Sequence, residues 1–267
     1  MPVIFQTSYS LPVDDYPLTH ARIAHAGNWL SGGTVTASDT NADYFADGPA
    51  NSMTYEKWKP DTLPATWEYD HGSAAEVDYC CIGAHTLGTN GNTLQIQYWN
   101  GTSWSGVIPA TAITTDQPIM AIFGPQTRTE WRIQVSGGTA PTIGVIRFGK
   151  AMQMPQAIYG GHTPIDMARQ TTMRSNMSAS GEFLGRTRQR TSLASSYDWQ
   201  HLKANWVRST WRPFQIALEQ DPIFLAWRPG TFGEVVYGWT GENPTPSNMG
   251  IRDLMSVSLS LTGRGYD

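Results

Sequence analysis

The clearest pattern in the chain lies near its end, where Met255, Val257, Leu259 and Leu261 alternate with Ser256, Ser258 and Ser260. Side chains of a strand point to opposite faces in turn, so this run predicts a strand with one apolar and one solvated face. The same period of two sets Leu94, Ile96 and Tyr98 against Gln95 and Gln97, and Trp131, Ile133 and Val135 against Arg132 and Gln134. Residues 77–85 and 143–148 are apolar runs of strand length. Turn signals punctuate them: Gly32-Gly33, Asp47-Gly48-Pro49, Asn90-Gly91, Asn100-Gly101 and Gly137-Gly138. Asn100-Gly101 directly follows an alternating run, as a tight hairpin requires.

This spacing of strands and turns predicts four parts. Residues 1–20 carry Pro2, Pro12 and Pro17 and read as an extended arm in which Val3, Ile4 and Phe5 add one short strand. Residues 21–150 read as a β-sandwich without a helix. Residues 151–165, with Pro155, Gly160-Gly161 and Pro164, read as a linker against which Met152, Met154 and Ile158 pack. Residues 166–267 read as a second β-rich unit with strands over 181–190, 192–199, 223–227 and 234–239. There Asp198 is expected to cap a helix over 200–210, with Leu202 and Trp206 inward, and Pro213 to open a second short helix to about residue 220. The fold class is therefore mainly β, with one or two short helices.

Composition agrees. Gly and Pro fill 43 positions, aromatics 11% and charged residues only 15%, a turn-rich chain unlike a disordered one. The net charge of −4 gives no general pull toward nucleic acid or an anionic membrane, and neither is expected as a partner. The halves differ: residues 1–150 hold 7 Lys+Arg and 13 Asp+Glu, a net of −6, whereas residues 151–267 hold 11 and 9, a net of +2. Five arginines, Arg169, Arg174, Arg186, Arg188 and Arg190, fall in one 22-residue stretch and read as a solvated or partner-facing surface. No apolar run is long enough for a transmembrane helix, and the first residues lack the basic and apolar regions of a secretory signal. The two cysteines, Cys80 and Cys81, are adjacent. In a strand they point to opposite faces, so neither a disulfide framework nor a metal-ligand spacing is expected.

Three places in the first half resemble the discoidin-like, galactose-binding type of jelly roll. They are the small-polar stretch from Ala37 to Asp47-Gly48, Trp67-Glu-Tyr-Asp leading into the strand at 77–83, and residues 94–104 ending in Trp104. Trp131-Arg-Ile-Gln-Val adds a strand with an aromatic and an arginine. The likeness covers about residues 21–150 and departs from the family pattern at Asp70-His-Gly-Ser-Ala. The second half resembles phage tail components of the minor-tail, distal-tail or baseplate kind. It does so through Gly181-Glu-Phe-Leu-Gly-Arg, Pro213-Phe-Gln-Ile-Ala-Leu with Asp221-Pro-Ile-Phe-Leu-Ala-Trp, and the closing alternating strand. This implies a structural virion protein of the tail, made in the host cytoplasm. Its implied partners are further copies in a trimer or hexamer ring, other tail or baseplate proteins, and a host surface glycan. The alternative is a lectin-like carbohydrate-binding module; a glycan-degrading enzyme with an attached binding module is a third reading.

Candidate chemistry is sparse. No zinc-protease, serine-hydrolase or phosphate-loop motif appears, so no catalysis is expected. His71, near Glu68, Asp70 and Glu76, is the one acidic–histidine cluster, read chiefly as a polar loop before a strand. Asp39, Asn41, Asp43 and Asp47 have the oxygen-rich spacing of a Ca2+ loop, and the discoidin likeness implies an ion there; calcium is the one cofactor considered, and a polar turn the other reading. For glycan stacking the candidates are Tyr44, Trp58, Trp67, Trp99 and Trp104, which flank predicted turns. Trp104, between Ser103 and Ser105 at a hairpin tip, is the one most expected to be exposed.

Overall fold

A computed structural model describes residues 2–250 and 252–265. Its strands are β1 (Val3–Phe5), β2 (Arg22–Ala24), β3 (Thr34–Ala37), β4 (Ala65–Gly83), β5 (Thr93–Trp99), β6 (Trp104–Ala112), β7 (Ile119–Ser136) and β8 (Val145–Gly149), followed by β9 (Met152–Gln153), β10 (Arg169–Met177), β11 (Phe183–Lys203), β12 (Ile223–Ala226), β13 (Val235–Trp239), β14 (Ser247–Asn248) and β15 (Leu254–Arg264). They form two sheets. The first has the order β3-β4-β7-β5-β6, with β1 parallel to β7 and β8 antiparallel to β4. The second has the order β10-β11-β15-β13-β12-β2-β9, with β14 on β15. The mainly β expectation holds, and apart from β1 on β7 the strand pairs named here are antiparallel.

Strands β4 and β7 organise the first sheet. Each is long enough to serve two sets of neighbours, and their pairing slips between Asp70 and Ala75. Before the slip, Trp67 and Tyr69 face inward beside Trp131, Ile133 and Val135. After it, Cys80 and Ile82 remain in that core, whereas Tyr79 and Cys81 face a different one. That other core lies between the two sheets and unites Tyr79, Cys81, Met120 and Ile122 with Ala24, Phe224, Val235 and Tyr237. The adjacent cysteines thus serve two cores from opposite faces of one strand, as their spacing predicts. Both are buried and unbridged, and burial pushes both thiols well above their ordinary range. Since the thiolate is the reactive form, neither is expected to react with a disulfide reagent in the native protein. Both should react once denaturant is added; rapid native labelling of either would contradict this burial.

A third core lies against the second sheet, where Tyr197, Trp199, Leu259 and Leu261 meet Trp211 and Phe214. Those last two come from the helical segment that runs through Ala204–Trp206, a π-turn at Val207–Trp211 and Arg212–Ala217.

Several boundaries differ from expectation. Residues 21–150 do not form a closed unit, because Arg22–Ala24 pairs with β12 and β9 in the second sheet. The arm is built into its own chain: Val3 pairs with Met120 and its N–H donates to Gly233 O. The linker supplies β9, with Met154 fully buried. Asp198 caps no helix but pairs with Ser258 inside β11, which continues to Lys203. The physical reason is the inward period of two at Leu193, Ser195, Tyr197 and Trp199, whose burial outweighs a local capping preference.

Candidate functional site

On the solvent side of the first sheet, one row of side chains crosses four strands. Thr36 on β3 pairs with Glu68 on β4, Glu68 with Arg132 on β7, and Arg132 with Gln97 on β5. These positions are the polar halves of the alternations whose apolar halves, Trp67, Ile133 and Ile96, form the core beneath. From Glu68 to Gln97 the row is bonded. Arg132 Nε donates to Gln97 Oε1 at 2.6 Å, Arg132 Nη1 donates to Glu68 Oε1 at 3.1 Å, and Thr66 Oγ1 donates to the same oxygen. The next residue of the row, opposite Gln97, is Gly106. It carries no side chain, and the Trp104 ring lies beside it with the Arg132 guanidinium 4.2 Å from the ring centre. Trp99, the cross-strand partner of Trp104, meets it edge-on at 5.5 Å. Trp104 is held from two sides, by a cation over its face and an indole against its edge.

Beside this row is a groove of about 240 Å³ whose walls include Thr34, Thr36, Trp104, Glu68, Asp70 and Glu130. Asp70 and Glu130 are direct cross-strand partners. Like charges placed opposite each other destabilise a sheet. Partial burial, then Asp70 and Glu68, raise the Glu130 carboxyl above its usual value. Glu68 shares its charge with Arg132, while no ion pair to Asp70 or Glu130 occurs among the described residues. Tyr69 forms part of the groove floor, and its hydroxyl accepts from Gly33 N–H at 2.9 Å. A Cβ on Gly33 would lie 2.4 Å from Asp70 O, so only glycine lets β3 approach this closely. The groove therefore offers an aromatic surface, two hydroxyls and three carboxylates that accept hydrogen bonds.

Of the aromatic residues expected to stack on a ligand, Trp104 lines this groove, and Trp99 packs against Trp104. Tyr44 is half-buried in a separate loop, with Lys59 over its ring. Trp58 is completely buried in the sandwich core and donates its indole N–H to Asp39 O; Trp67 is equally buried and donates to Ala46 O. Neither presents a face to solvent, so both leave the set. His71 lies within β4 rather than in a loop, because Tyr69 through Val77 bulges without leaving the strand.

The residues considered for calcium are partly engaged in bonds of their own. One Asp39 oxygen already accepts the N–H of Asp61 and Thr62 and the Thr62 hydroxyl, at 2.7–3.0 Å. The bonds from Thr62 hold its carboxyl below the usual carboxylate range. Asn41 donates to Asp61 and accepts from Asp43 N–H, so Asp39 and Asn41 serve to hold a polar turn. Among the described residues no group of three or more His, Cys, Asp or Glu converges. Sequence reasoning named Glu68 and Asp70 only as neighbours of His71 and passed over Gln97, Glu130 and Arg132 as site residues. Their outward alternation was visible strand by strand, but their shared rows depend on register, which no single strand reveals.

No family model and no curated protein matches the chain. Solved structures of similar shape match about half of it. A pectin-binding carbohydrate-binding module is 15% identical, over 46% of this chain and 93% of that one, with a TM-score of 0.40. The family 32 carbohydrate-binding module of Clostridium perfringens NanJ, solved with galactose, is 17% identical over 46% and 98%, at 0.42. A Ruminococcus gnavus fucosidase in complex with fucose is 17% identical over 48% of this chain but 28% of the enzyme, at 0.42.

Proposed function

We propose that the chain is a non-catalytic carbohydrate-binding protein whose groove at Trp104 takes a neutral sugar residue of a surface glycan. The observation that carries this is the unneutralised carboxylate pair Asp70–Glu130 placed directly opposite across two strands beside a braced indole. Acceptors crowded at a cost in fold stability suit a ligand rich in hydroxyl donors. An indole suits the C–H face of a sugar ring, and the groove volume suits one ring rather than a chain buried end to end.

Trp104→Ala is expected to weaken glycan binding by about 2 kcal/mol, roughly 30-fold in Kd, on a glycan array followed by calorimetry with the best hit. Asp70→Asn with Glu130→Gln should lose affinity while gaining up to about 1 kcal/mol of stability, because the repulsion goes with the charges. Unchanged binding by Trp104→Ala sinks the assignment of the groove. Turnover of the bound glycan sinks the non-catalytic part.

A second reading, a structural subunit of a phage tail tip or baseplate, is favoured by one observation. Strands β10 and β11 extend beyond the body as a hairpin exposed on both faces. Under that reading the protein resides in the virion and meets further copies and other tail proteins, and the groove contacts the host surface.

A further inference from the structure

The projecting hairpin carries the most unexplained surface in the molecule. Strand β10 pairs along its length with the first half of β11, yet its other edge is free among the described residues. An isolated two-stranded hairpin is marginal in water, and a bare edge strand is a template for association. Cross-strand partners share a face, so the register defines what each face displays. One face begins at Leu193, which is buried in the third core, against the second sheet. It continues outward through Thr171 and Thr191, Met173 and Arg188, Ser175 and Arg186, to Met177 and Phe183 near the tip. The side of the sheet that begins in that core thus runs on past the body, and near the tip its apolar side chains are exposed. Phe183 and Met177 are 63% and 67% exposed. Residues 169–191 hold five arginines and one acid, Glu182, a formal net charge of +4.

The same chain carries a complementary surface. The loop between β3 and β4 exposes Phe45, Met53 and Tyr55, with Phe45 62% and Tyr55 73% accessible. Asp43 and Asp47 flank Phe45 and are exposed as well. Apolar side chains with acids therefore stand on one part of the chain, and apolar side chains with arginines on another. We propose that the hairpin of one copy docks on this loop of a second copy, Met177 and Phe183 meeting Phe45 and Tyr55 while the arginines meet Asp43 and Asp47. The contact joins two different surfaces, so it closes a two-fold dimer where the two copies dock reciprocally and otherwise builds a head-to-tail ring or filament. The proposal deepens the assembly reading and rests on it, and it is independent of the glycan groove.

The test is the mass of the full chain in solution, by light scattering and sedimentation over a concentration series. The wild type is expected to self-associate. Met177→Asp with Phe183→Asp should weaken that association at least tenfold, as should Arg186→Glu with Arg188→Glu, and Asp43→Arg with Asp47→Arg. These positions are exposed, so circular dichroism should report an unchanged fold. Mixing the Arg186→Glu/Arg188→Glu protein with the Asp43→Arg/Asp47→Arg protein should restore the wild-type mass, because each then meets the opposite charge. A wild type that stays monomeric overturns both this contact and the assembly reading. Self-association that persists in the hairpin variants overturns the hairpin's role alone. A monomer that sediments with phosphatidylserine vesicles through the same arginines reassigns the hairpin to a membrane surface and overturns the proposal.

Discussion

Phe224→Ala is expected to lower the stability of the entire chain by about 3–5 kcal/mol, in the range for removing a large buried aromatic side chain, and to lower it in one transition. Phe224 is fully buried on β12, a strand of the second sheet. Its ring lies 4.5 Å from that of Tyr237 on β13 and reaches across to β4 of the first sheet. There the close approach is possible because Gly83 has no side chain; a Cβ at that position would stand 3.1 Å from the Phe224 ring. The same core receives Tyr79, Cys81 and Met120 from one side and Ala24 and Val235 from the other. Removing the ring leaves a cavity between the sheets that neither can close alone. Two further ties cross this junction: the Tyr237 hydroxyl donates to Ser52 O at 2.6 Å, and Val3 N–H donates to Gly233 O. The halves should therefore unfold together. Calorimetry of the wild type should show equal calorimetric and van't Hoff enthalpies. Two resolved transitions, with Phe224→Ala moving only one, would show that each half is stable without the other.

This junction is also where sequence reasoning stops. Periods of two located β5, the second part of β7 and β15, because each has a core on one face and water on the other. The tight turn at Asn100-Gly101 held as well, with Asn100 N–H donating to Ser103 O. Strand β4 hid its role, since after the bulge both of its faces are buried, and a strand buried on two sides shows an apolar run without direction. Nothing in Arg22-Ile-Ala marks it as a partner of residues 224–226, some 200 positions away; that pairing is a property of the assembled sheet. For the same reason the hairpin appeared in the sequence only as two runs and a cluster of arginines. Their projection becomes visible once the burial of Leu193 is set beside the exposure of Met177. The groove was half legible: Trp104 and Trp99 stood out by residue type, while Asp70 and Glu130 needed the register of β4 on β7 to meet.

The second large effect is electrostatic. Asp78→Asn is expected to stabilise the protein at pH 8 by an amount on the order of 2–4 kcal/mol, and by almost nothing at pH 4. Asp78 is buried on β4, where its Oδ1 accepts Ala151 N–H at 2.8 Å. Burial pushes its pKa up to about 7; Asp15 adds to the rise, against the pull of the Ala151 bond, Lys150 and Arg22. Because the folded value lies above the ordinary carboxylate value, the native state binds this proton more tightly than the unfolded chain. The stabilisation is complete below about pH 4 and is lost as pH rises through 7. Two buried histidines act in the opposite sense. Burial lowers His25 and His85 to about 4; His25 Nδ1 accepts Gly27 N–H, as a neutral ring can. Their contribution is complete above about pH 6.5 and is lost as pH falls through 4. In the wild type these slopes oppose each other between pH 4 and 7, which flattens the profile. An asparagine keeps an acceptor for Ala151 and removes the titration. The variant should therefore gain stability toward alkaline pH and fall more steeply toward acid, with the histidine slope no longer opposed by Asp78. Urea melts of both proteins from pH 4 to 8 measure this directly. Parallel curves, with a constant difference at every pH, would mean that Asp78 is ionised in the native state throughout and that the Lys150 and Arg22 charges outweigh its burial.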